Sequence, residues 1–233
     1  MQVTPELLSA FPSLKPLPSA TLARLAQESE VRKFARRGVV MTAGVREEFV
    51  CFLFEGRLQG VDFTIDGREV GLYFVEPGDF CGELGMFDHG PQPEFVIALT
   101  AAVTVFVPME SLRLVTMENP MLLKLLGQRL AARVRQLTRQ RSLLGLPNIS
   151  QRVCCQLWLL VSDDARQHLQ SSVINNPPTH MEIAIMLNLS RETVSRVFQI
   201  LQTRNIVRRD GTSLLHVSDS AALKRLADGS EEL

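Results

Sequence analysis

The sequence contains few residues of the kinds that build metal centres and disulfide frameworks. Its 233 residues include four cysteines and four histidines, and no two cysteines have Cys-x-x-Cys spacing. Cys154 and Cys155 are neighbours on a predicted helix, where successive side chains point about 100° apart, so they cannot both bind one metal ion. We therefore predict no metal site and interpret all four cysteines as buried or partly buried thiols in a reducing compartment. The four are Cys51, Cys81, Cys154 and Cys155.

Signals typical of membrane proteins, secreted proteins and enzymes are also missing. No apolar run approaches the roughly 20 residues that span a bilayer, and the N-terminus lacks a basic start followed by an apolar core. No nucleophile and base have a recognisable spacing, and Gly82-Glu83-Leu84-Gly85 is too weak a pattern for a nucleotide-binding loop. We expect a cytoplasmic protein with no enzymatic activity and no membrane partner.

Charge is balanced overall but unevenly distributed along the chain. The sequence has 25 basic and 25 acidic residues, so no overall positive field indicates nucleic acid. Residues 121–141, however, contain six Lys or Arg and no acid, and residues 190–209 contain five Arg and one Glu. Because salt screens charges beyond about 8 Å, such local clusters matter more for phosphate binding than the net charge does.

Residues 31–108 have the pattern of an all-β region, and residues 4–30 before them are predicted to be helical. Short apolar runs alternate with turn signals, which predicts an antiparallel barrel or sandwich. Asp66-Gly67 lies between two runs and predicts a hairpin with a type I′ turn, because that turn needs positive φ. The runs are 39–41, 49–54, 58–63, 70–75, 95–99 and 103–107.

A long amphipathic helix is predicted to follow Pro120, after a shorter helix that follows Ser111. Its apolar residues form a narrow stripe that is typical of a paired helix, so we predict a homodimer through residues 121–144. Gly145-Leu146-Pro147 ends this helix, and another is predicted from about Asn148 to Arg166. The stripe comprises Leu123, Leu126, Leu130, Val134, Leu137 and Leu144.

Residues 179–197 have the pattern of a helix-turn-helix. Thr179 and Glu182 form a capping box at the start of the first helix. Asn188 lies at the turn, where positive φ is needed and Asn is tolerated next after Gly. Ser190 caps the second helix and places Arg191, Glu192, Ser195 and Arg196 on its exposed N-terminal part, the end that enters a major groove. The predicted buried positions are Ile183, Ala184, Leu187, Leu189, Val194 and Val197.

Two short β-runs, 206–209 and 214–217, flank Asp210-Gly211 and predict a wing in which Arg208 and Arg209 reach phosphates. The alternative interpretation is an ordinary helical hairpin with a solvated polar face. Agreement at each constrained position, together with the wing, favours a module that reads DNA.

At this point the chain resembles a known family. Residues 190–196, Ser-Arg-Glu-Thr-Val-Ser-Arg, are similar to the recognition helix of the cyclic-AMP receptor protein/FNR (Crp/Fnr) family. Residues 77–80 and 82–87 resemble the family's phosphate-binding cassette, and the resemblance extends from Val31 to Val217. It implies an α+β fold with an antiparallel, cyclic-nucleotide-binding-like β-roll, a long dimerisation helix and a C-terminal winged helix-turn-helix. We expect the boundaries 1–118, 119–146 and 147–233.

The resemblance also implies which residues read DNA. Arg196 would donate to a guanine edge and Glu192 would accept from a cytosine amino group. The serine at position 195 resembles the recognition helix of FNR-like members, whereas the arginine at position 191 resembles that of the cyclic-AMP receptor protein. We expect an inverted repeat with TGA-like half-sites about one helical turn apart. The expected DNA-binding residues are Thr179, Arg191, Glu192, Ser195, Arg196, Arg208 and Arg209.

The effector site departs from the family pattern. The resemblance implies a site at Gly82, Glu83 and Leu84, with Thr138 as the surviving member of a hydroxyl pair on the long helix. The arginine expected to bind phosphate is replaced by Pro93, and Glu94 follows it. The lost charge-assisted bond and the added carboxylate disfavour cyclic AMP. Cyclic di-GMP, haem through His89, or no effector at all stay open, whereas an iron–sulfur cluster is disfavoured because Cys51 is the first cysteine.

A function of another class is a regulatory ligand-binding subunit that acts through protein contacts, as β-rolls do in kinases and channels. The predicted winged helix argues against it, because such a subunit needs none. Activation and repression are not distinguished by the sequence. For an activator, RNA polymerase is an expected partner, and residues 171–178 are interpreted either as a polymerase contact or as a plain linker.

Overall fold

The computed structural model describes residues 2–233. The chain forms two compact units, which meet in sequence between Leu137 and Thr138. The first unit contains helices α1 (Pro5–Ser9), α2 (Ser19–Glu28), α3 (Gly85–Asp88), α4 (Met109–Glu118) and most of α5 (Pro120–Leu144). Its strands are β1 (Glu30–Phe34), β2 (Val39–Met41), β3 (Phe49–Glu55), β4 (Leu58–Phe63), β5 (Glu69–Val75), β6 (Phe80–Cys81), β7 (Phe95–Ala98) and β8 (Ala102–Pro108). Within residues 2–233, every helix is too short or too polar to span a lipid bilayer.

The eight strands of the first unit form two antiparallel four-stranded sheets, in the orders β1-β8-β3-β6 and β2-β7-β4-β5. Side chains from both sheets, including Leu58, Tyr73 and Phe106, share one buried apolar cluster. The predicted antiparallel β-roll is therefore confirmed. Strands β1 and β6 were not among the predicted runs, because β1 carries the polar residues 30, 32 and 33 and β6 has only two residues.

The hairpin predicted at Asp66-Gly67 is present and joins β4 to β5, but its turn type differs from the prediction. Gly67 has a φ of +77°, whereas Asp66 is not among the residues with positive φ. The Gly67 N–H donates to the Thr64 carbonyl, and the Thr64 N–H donates to the Arg68 carbonyl. A three-residue loop with glycine in the left-handed region thus replaces the predicted type I′ turn.

Helix α5 begins at Pro120 as predicted and has two apolar faces. Leu122 and Leu126 are buried in the core of the first unit, together with α1, α2 and α4. Leu123 is 49% exposed and Val134 is 63% exposed. Leu126 therefore does not belong to the predicted seam, because it packs in the core of its own chain.

The second unit contains the C-terminal end of α5 and the helices α6 (Ile149–Leu160), α7 (Asp163–His168), α8 (His180–Leu187), α9 (Arg191–Thr203) and α10 (Ser220–Asp228). Strands β9 (Ser172–Asn175), β10 (Val207–Asp210) and β11 (Leu214–Val217) form one sheet in the order β10-β11-β9. Apolar side chains from all five of these helices and all three strands pack in a single core.

Two predictions for this unit were wrong in detail. The helix predicted from Asn148 to Arg166 is interrupted after Leu160, because Val161 is extended and the Ser162 hydroxyl caps a new helix by accepting from the Ala165 N–H. A plain linker at residues 171–178 was also wrong, since residues 172–175 form β9 and pair with β11. The interpretation of this segment as a polymerase contact stays a prediction.

Candidate nucleic-acid interface and effector pocket

The helix-turn-helix begins with a complete capping box. The Thr179 Oγ1 accepts from the Glu182 N–H at 3.2 Å, and the Glu182 Oε2 accepts from the Thr179 N–H at 2.8 Å. Thr179 is exposed, and the hydrogen of its hydroxyl is not used by the capping box. The cap fixes the start of α8 and leaves the Thr179 hydroxyl able to donate to a phosphate.

The turn between α8 and α9 has the predicted geometry. Asn188 lies in the left-handed region, with φ of 51° and ψ of 50°. The Leu189 N–H donates to the carbonyl of Ala184, which is buried in the core of the unit. The small side chain of Ala184 allows the two helices to approach each other, and this sets the direction in which α9 leaves the core.

Helix α9 has one buried and one exposed face. Ser190 caps it by accepting from the Thr193 N–H at 3.1 Å. Arg191, Glu192 and Arg196 are exposed, as predicted. Two arginines and one carboxylate are therefore displayed on the N-terminal two turns of a firmly anchored helix. The residues that anchor it are Val194, Val197, Phe198 and Leu201.

Ser195 is placed differently from the other predicted reading residues. It is half-buried, and its Oγ lies 2.9 Å from the Nδ1 of His180 on α8. The His180 ring packs on Phe198, with the ring centroids 4.3 Å apart. His180 was not among the predicted site residues, because a histidine at the second position of a capping box carries no signal for a contact 15 residues away.

The predicted hairpin of β10 and β11 forms, and β9 adds a third strand that was not predicted. The two arginines of β10 are placed differently. Arg208 is exposed on β10. Arg209 is half-buried, its Nη2 donates to the Pro178 carbonyl at 3.0 Å, and its guanidinium lies 5.9 Å from the Phe198 ring. Burial lowers the pKa of Arg209. This side chain ties the wing to the segment before α8, and a contact between Arg209 and phosphate stays a prediction.

The predicted effector residues of the first unit lie around the start of α3. Gly82 has a φ of +81°, and a Cβ there would lie 2.3 Å from the Cε of Met41, so this position favours glycine. Glu83 is buried, and this burial raises its pKa, while Arg133 lowers it to a smaller extent. Leu84 is exposed. Thr138, the fourth predicted residue, is exposed on the part of α5 that belongs to the second unit.

A second carboxylate, Glu94, is buried inside the β-roll. Its Oε1 accepts from the Tyr73 hydroxyl and from the Gln92 Nε2, the latter at 3.0 Å. Burial raises the pKa of Glu94, whereas the Tyr73 bond and Arg133 oppose this rise. Arg133 itself is buried on α5, with its guanidinium 3.5 Å from the Tyr73 ring centroid. Tyr73, Gln92 and Arg133 thus surround a carboxylate supplied by the chain itself.

His89, considered above as a haem ligand, takes part in a contact between α3 and α4. Its Nδ1 lies 3.3 Å from the Nη2 of Arg113, which also donates to the carbonyls of Gly85 and Met86. Because a guanidinium can only donate, the His89 Nδ1 is the acceptor and Nε2 carries the hydrogen. A metal bound at Nε2 needs the opposite tautomer, so this arrangement does not favour haem.

The cysteines are free thiols, as predicted. Cys51, Cys81 and Cys154 are buried, and Cys155 is half-buried with its Sγ donating to the Ala227 carbonyl. Burial raises the pKa of Cys154 to about 12. A thiol with so high a pKa is a poor nucleophile at neutral pH.

Comparison with known proteins extends over both units. The cyclic nucleotide-binding domain model matches residues 31–119, and the Crp-like helix-turn-helix domain model matches residues 151–226. The cAMP-activated global transcriptional regulator CRP of Pasteurella multocida is 26% identical over 210 residues, which cover 89% of this chain and 98% of that protein. The CRP-like cAMP-activated global transcriptional regulator of Mycobacterium tuberculosis is 29% identical over 210 residues, which cover 90% and 93% of the two chains.

The fold is shared with solved structures as well. FixK2 from Bradyrhizobium japonicum superposes with a TM-score of 0.71 at 21% identity, over 85% of this chain and 96% of that chain. The β-roll, the long helix and the winged helix-turn-helix therefore occur here in the order in which the family has them. The relatives are transcription regulators and not enzymes, in agreement with the sequence analysis. The chain belongs to the Crp/Fnr family of DNA-binding transcription regulators.

Proposed function

We propose that this protein is a homodimeric, sequence-specific transcription regulator that reads an inverted repeat with TGA-like half-sites. The observation that carries the proposal is the N-terminal part of α9, where Arg191, Glu192 and Arg196 are exposed on a helix whose opposite face is buried. In a soluble domain, an exposed group of this composition at a helix N-terminus matches the donors and acceptors of major-groove base edges.

Each exposed side chain has a distinct chemical role in this proposal. The Arg196 guanidinium presents two parallel donors, which suit the O6 and N7 of guanine. The Glu192 carboxylate accepts from the N4 amino group of cytosine. Arg191 provides a further donor, and Thr179 with Arg208 donates to phosphates on either side. Arg209 is left out of this set, because its Nη2 already donates to Pro178.

Helix α5 supports the proposed dimer. Positions 123, 127, 130, 134 and 137 follow each other at alternating intervals of four and three residues, which is the spacing of a coiled-coil seam. Leu123, Val134 and Leu137 are 49%, 63% and 36% exposed in the single chain. Gly127 lies among them, and a Cβ built there would meet no atom within 4 Å apart from its own stretch of helix backbone, so a second helix can approach closely at this point. A parallel pair of these helices would present two recognition helices to one palindromic site.

We also propose that cyclic AMP is not the ordinary effector of this β-roll. The Glu94 carboxylate and its donors Tyr73 and Gln92 fill the interior beside Arg133, and Pro93 replaces the phosphate-binding arginine. A cyclic nucleotide would bring a second negative charge next to a buried carboxylate and would gain no guanidinium bond from position 93. Cyclic di-GMP, or no effector at all, is compatible with these residues.

The regulatory-subunit alternative is not favoured, because the exposed arginines of α9 serve no purpose in a protein that acts only through its β-roll. A regulator of this kind acts where the chromosome is, which places it in the bacterial cytoplasm. Where it activates transcription, RNA polymerase is its further partner.

A binding assay with paired variants tests this proposal. Fluorescence anisotropy would measure the affinity of the chain for labelled DNA from its own promoter region and for an unrelated duplex of equal length. We expect Arg196→Ala to lose about 1–3 kcal/mol of specific binding and to relax the choice at the guanine. Arg204→Ala is the matched control, because Arg204 lies at the C-terminal end of the same helix and pairs with Glu231. Equal, selective binding by wild type and Arg196→Ala would refute the assignment.

The same assay addresses the effector. Adding cyclic AMP, cyclic GMP, cyclic di-GMP or haem to separate samples shows which of them changes the affinity for the operator. We expect no response to cyclic AMP, and a micromolar dissociation constant measured by calorimetry would contradict that expectation.

A further inference from the structure

We propose that His180 is a positioning residue that fixes the hydrogen-bond polarity of Ser195 and thereby selects the base that Ser195 reads. In this arrangement the Ser195 hydroxyl donates to the His180 Nδ1, so that only its oxygen lone pairs face the DNA. At the base pair that faces Ser195 in each half-site, the protein would then prefer a base with an amino group in the major groove, namely adenine or cytosine. This inference rests on the proposed function.

The geometry of the two side chains is that of a hydrogen bond, and the proposal assigns its hydrogen to the Ser195 hydroxyl. The Nδ1–Oγ distance is 2.9 Å, and the contact joins α8 to α9 across the helix-turn-helix. Stacking on Phe198, at 4.3 Å between centroids, holds the imidazole in place. Within residues 2–233, His180 is the hydrogen-bond partner of the Ser195 hydroxyl. A hydroxyl in a helix often bonds to its own helix instead, as Thr203 of α9 does by donating to the carbonyl four residues before it.

The charged groups around the ring favour its neutral form. Burial lowers the pKa of His180, and Arg209 on β10 and Arg191 on α9 lower it further. On its own helix, Glu182 is bound to the Thr179 N–H. At pH 7.5 the imidazole is therefore neutral and has one nitrogen that accepts.

The consequence for recognition follows from counting donors. A free serine hydroxyl can both donate and accept, and it discriminates weakly between bases. A hydroxyl whose hydrogen is bound to an imidazole can only accept from DNA. It therefore disfavours the acceptor groups of thymine and guanine, which would be left facing an oxygen lone pair.

The test measures base preference and not only affinity. Wild type, His180→Phe, Ser195→Ala and the double variant would each select from a pool of duplexes that carry two TGA half-sites with the other half-site positions randomised. His180→Phe keeps a ring on Phe198 but removes the acceptor. His168→Phe, at an exposed histidine of α7, is the matched control.

We expect wild type to prefer adenine or cytosine at one position per half-site by roughly threefold to tenfold, the effect of one hydrogen bond. His180→Phe should reduce this preference to within about twofold while binding unrelated DNA as wild type does. The double variant should match Ser195→Ala, since the two residues act through one bond. Nitrogen NMR of the four histidines should show the His180 Nδ1 without a hydrogen.

The possible failures are distinguishable. A wild-type chain that selects no inverted repeat overturns the proposed function together with this inference. A wild-type chain that selects a repeat, with the same base preference in His180→Phe, overturns the role of His180 alone. A uniform loss of affinity for all sequences in His180→Phe shows a purely structural residue and also overturns it, as does an Nδ1–H tautomer.

Discussion

The buried carboxylate of Glu94 makes a quantitative prediction about the β-roll. Replacing Glu94 by Ala removes the acceptor for the Tyr73 hydroxyl and for the Gln92 amide, both of which lie inside the first unit. Replacing it by Gln keeps an oxygen for Tyr73 and removes the negative charge. The two substitutions therefore separate the hydrogen bonds of this residue from its charge.

The expected magnitudes follow from burial. A buried donor left without a partner costs about 1–3 kcal/mol, and two donors lose their acceptor in Glu94→Ala. Because removal of the buried charge offsets part of this cost, the variant should lower the stability of the first unit by about 1–3 kcal/mol. Glu94→Gln should stay within about 1 kcal/mol of wild type at pH 7.5, because the loss of a charge-assisted bond is offset by the removal of a buried charge.

The pH dependence has a definite sign. Burial raises the pKa values of Glu94 and Glu83 in the folded state, so the folded state binds protons more tightly than the unfolded chain does. The stability that these two groups contribute is fully present below the pKa of the unfolded carboxyl, and it is lost as the pH rises through the raised folded pKa. The contribution of these two groups should therefore stabilise this unit as the pH falls from neutral, whereas Glu6 and Asp66, whose pKa values are lowered, contribute with the opposite sign. The difference in pH dependence between wild type and Glu94→Gln isolates the contribution of Glu94.

Hydrogen exchange followed by mass spectrometry measures these effects in each unit separately. Peptides from β5 and β7 report on Glu94, and peptides from α9 serve as an internal reference. A loss of 1–3 kcal/mol corresponds to about fivefold to 150-fold faster exchange in β5 and β7. Glu55→Ala, at an exposed carboxylate of β3, is the control. The reasoning is refuted if Glu94→Ala exchanges like wild type, or if the Ala and Gln variants behave alike.

Substitutions in α5, in the turn of the helix-turn-helix and in the wing test three other elements. Val134→Glu should convert the proposed dimer to a monomer in sedimentation velocity, because it places a charge in the proposed seam, whereas Lys124→Glu, at an exposed polar position, should sediment like wild type. Asn188→Ala should destabilise the second unit by about 1–2 kcal/mol in a thermal melt, because alanine is strained at a φ of 51°, and Asn188→Gly should not. Arg208→Ala should reduce the salt dependence of DNA binding by about one unit of slope without changing stability. Arg209→Ala should instead destabilise the second unit, since Arg209 donates to Pro178. A lower stability in Arg208→Ala together with a smaller salt dependence in Arg209→Ala would show that Arg209 binds phosphate and Arg208 supports the fold.

The helix-turn-helix could be predicted in detail because its signals lie close together in sequence. The capping box at Thr179, the turn at Asn188 and the cap at Ser190 each involve residues at most three or four positions apart. Such short-range chemistry determines the local backbone almost independently of the rest of the fold. The same holds for the strand pairs of the wing and of the β4–β5 hairpin, although the hairpin's turn type was wrong.

The orientation of individual side chains could not be predicted in this way. Arg208 and Arg209 are neighbours with the same charge, and they differ because alternate residues of a strand face opposite sides. Only the folded structure brings Pro178 and Phe198 to the inner side, where Arg209 lies. The apolar pattern of α5 was ambiguous for a similar reason, since Leu123 and Leu126 both fit a stripe and only Leu126 packs in the core of the first unit.

In the β-roll, the carboxylate of Glu94 departs from the family pattern, and the residues that surround it are suited to that carboxylate. The sequence indicated that Glu94 would repel a phosphate, but it did not indicate what a buried carboxylate without a ligand requires. Such a group is stable only when donors and a positive charge are built around it. Tyr73 and Gln92 provide the donors, and Arg133, which packs against Tyr73, provides the charge. Because the carboxylate and its partners complete one another, restoring an arginine at Pro93 alone should not restore cyclic-AMP binding while Glu94 remains.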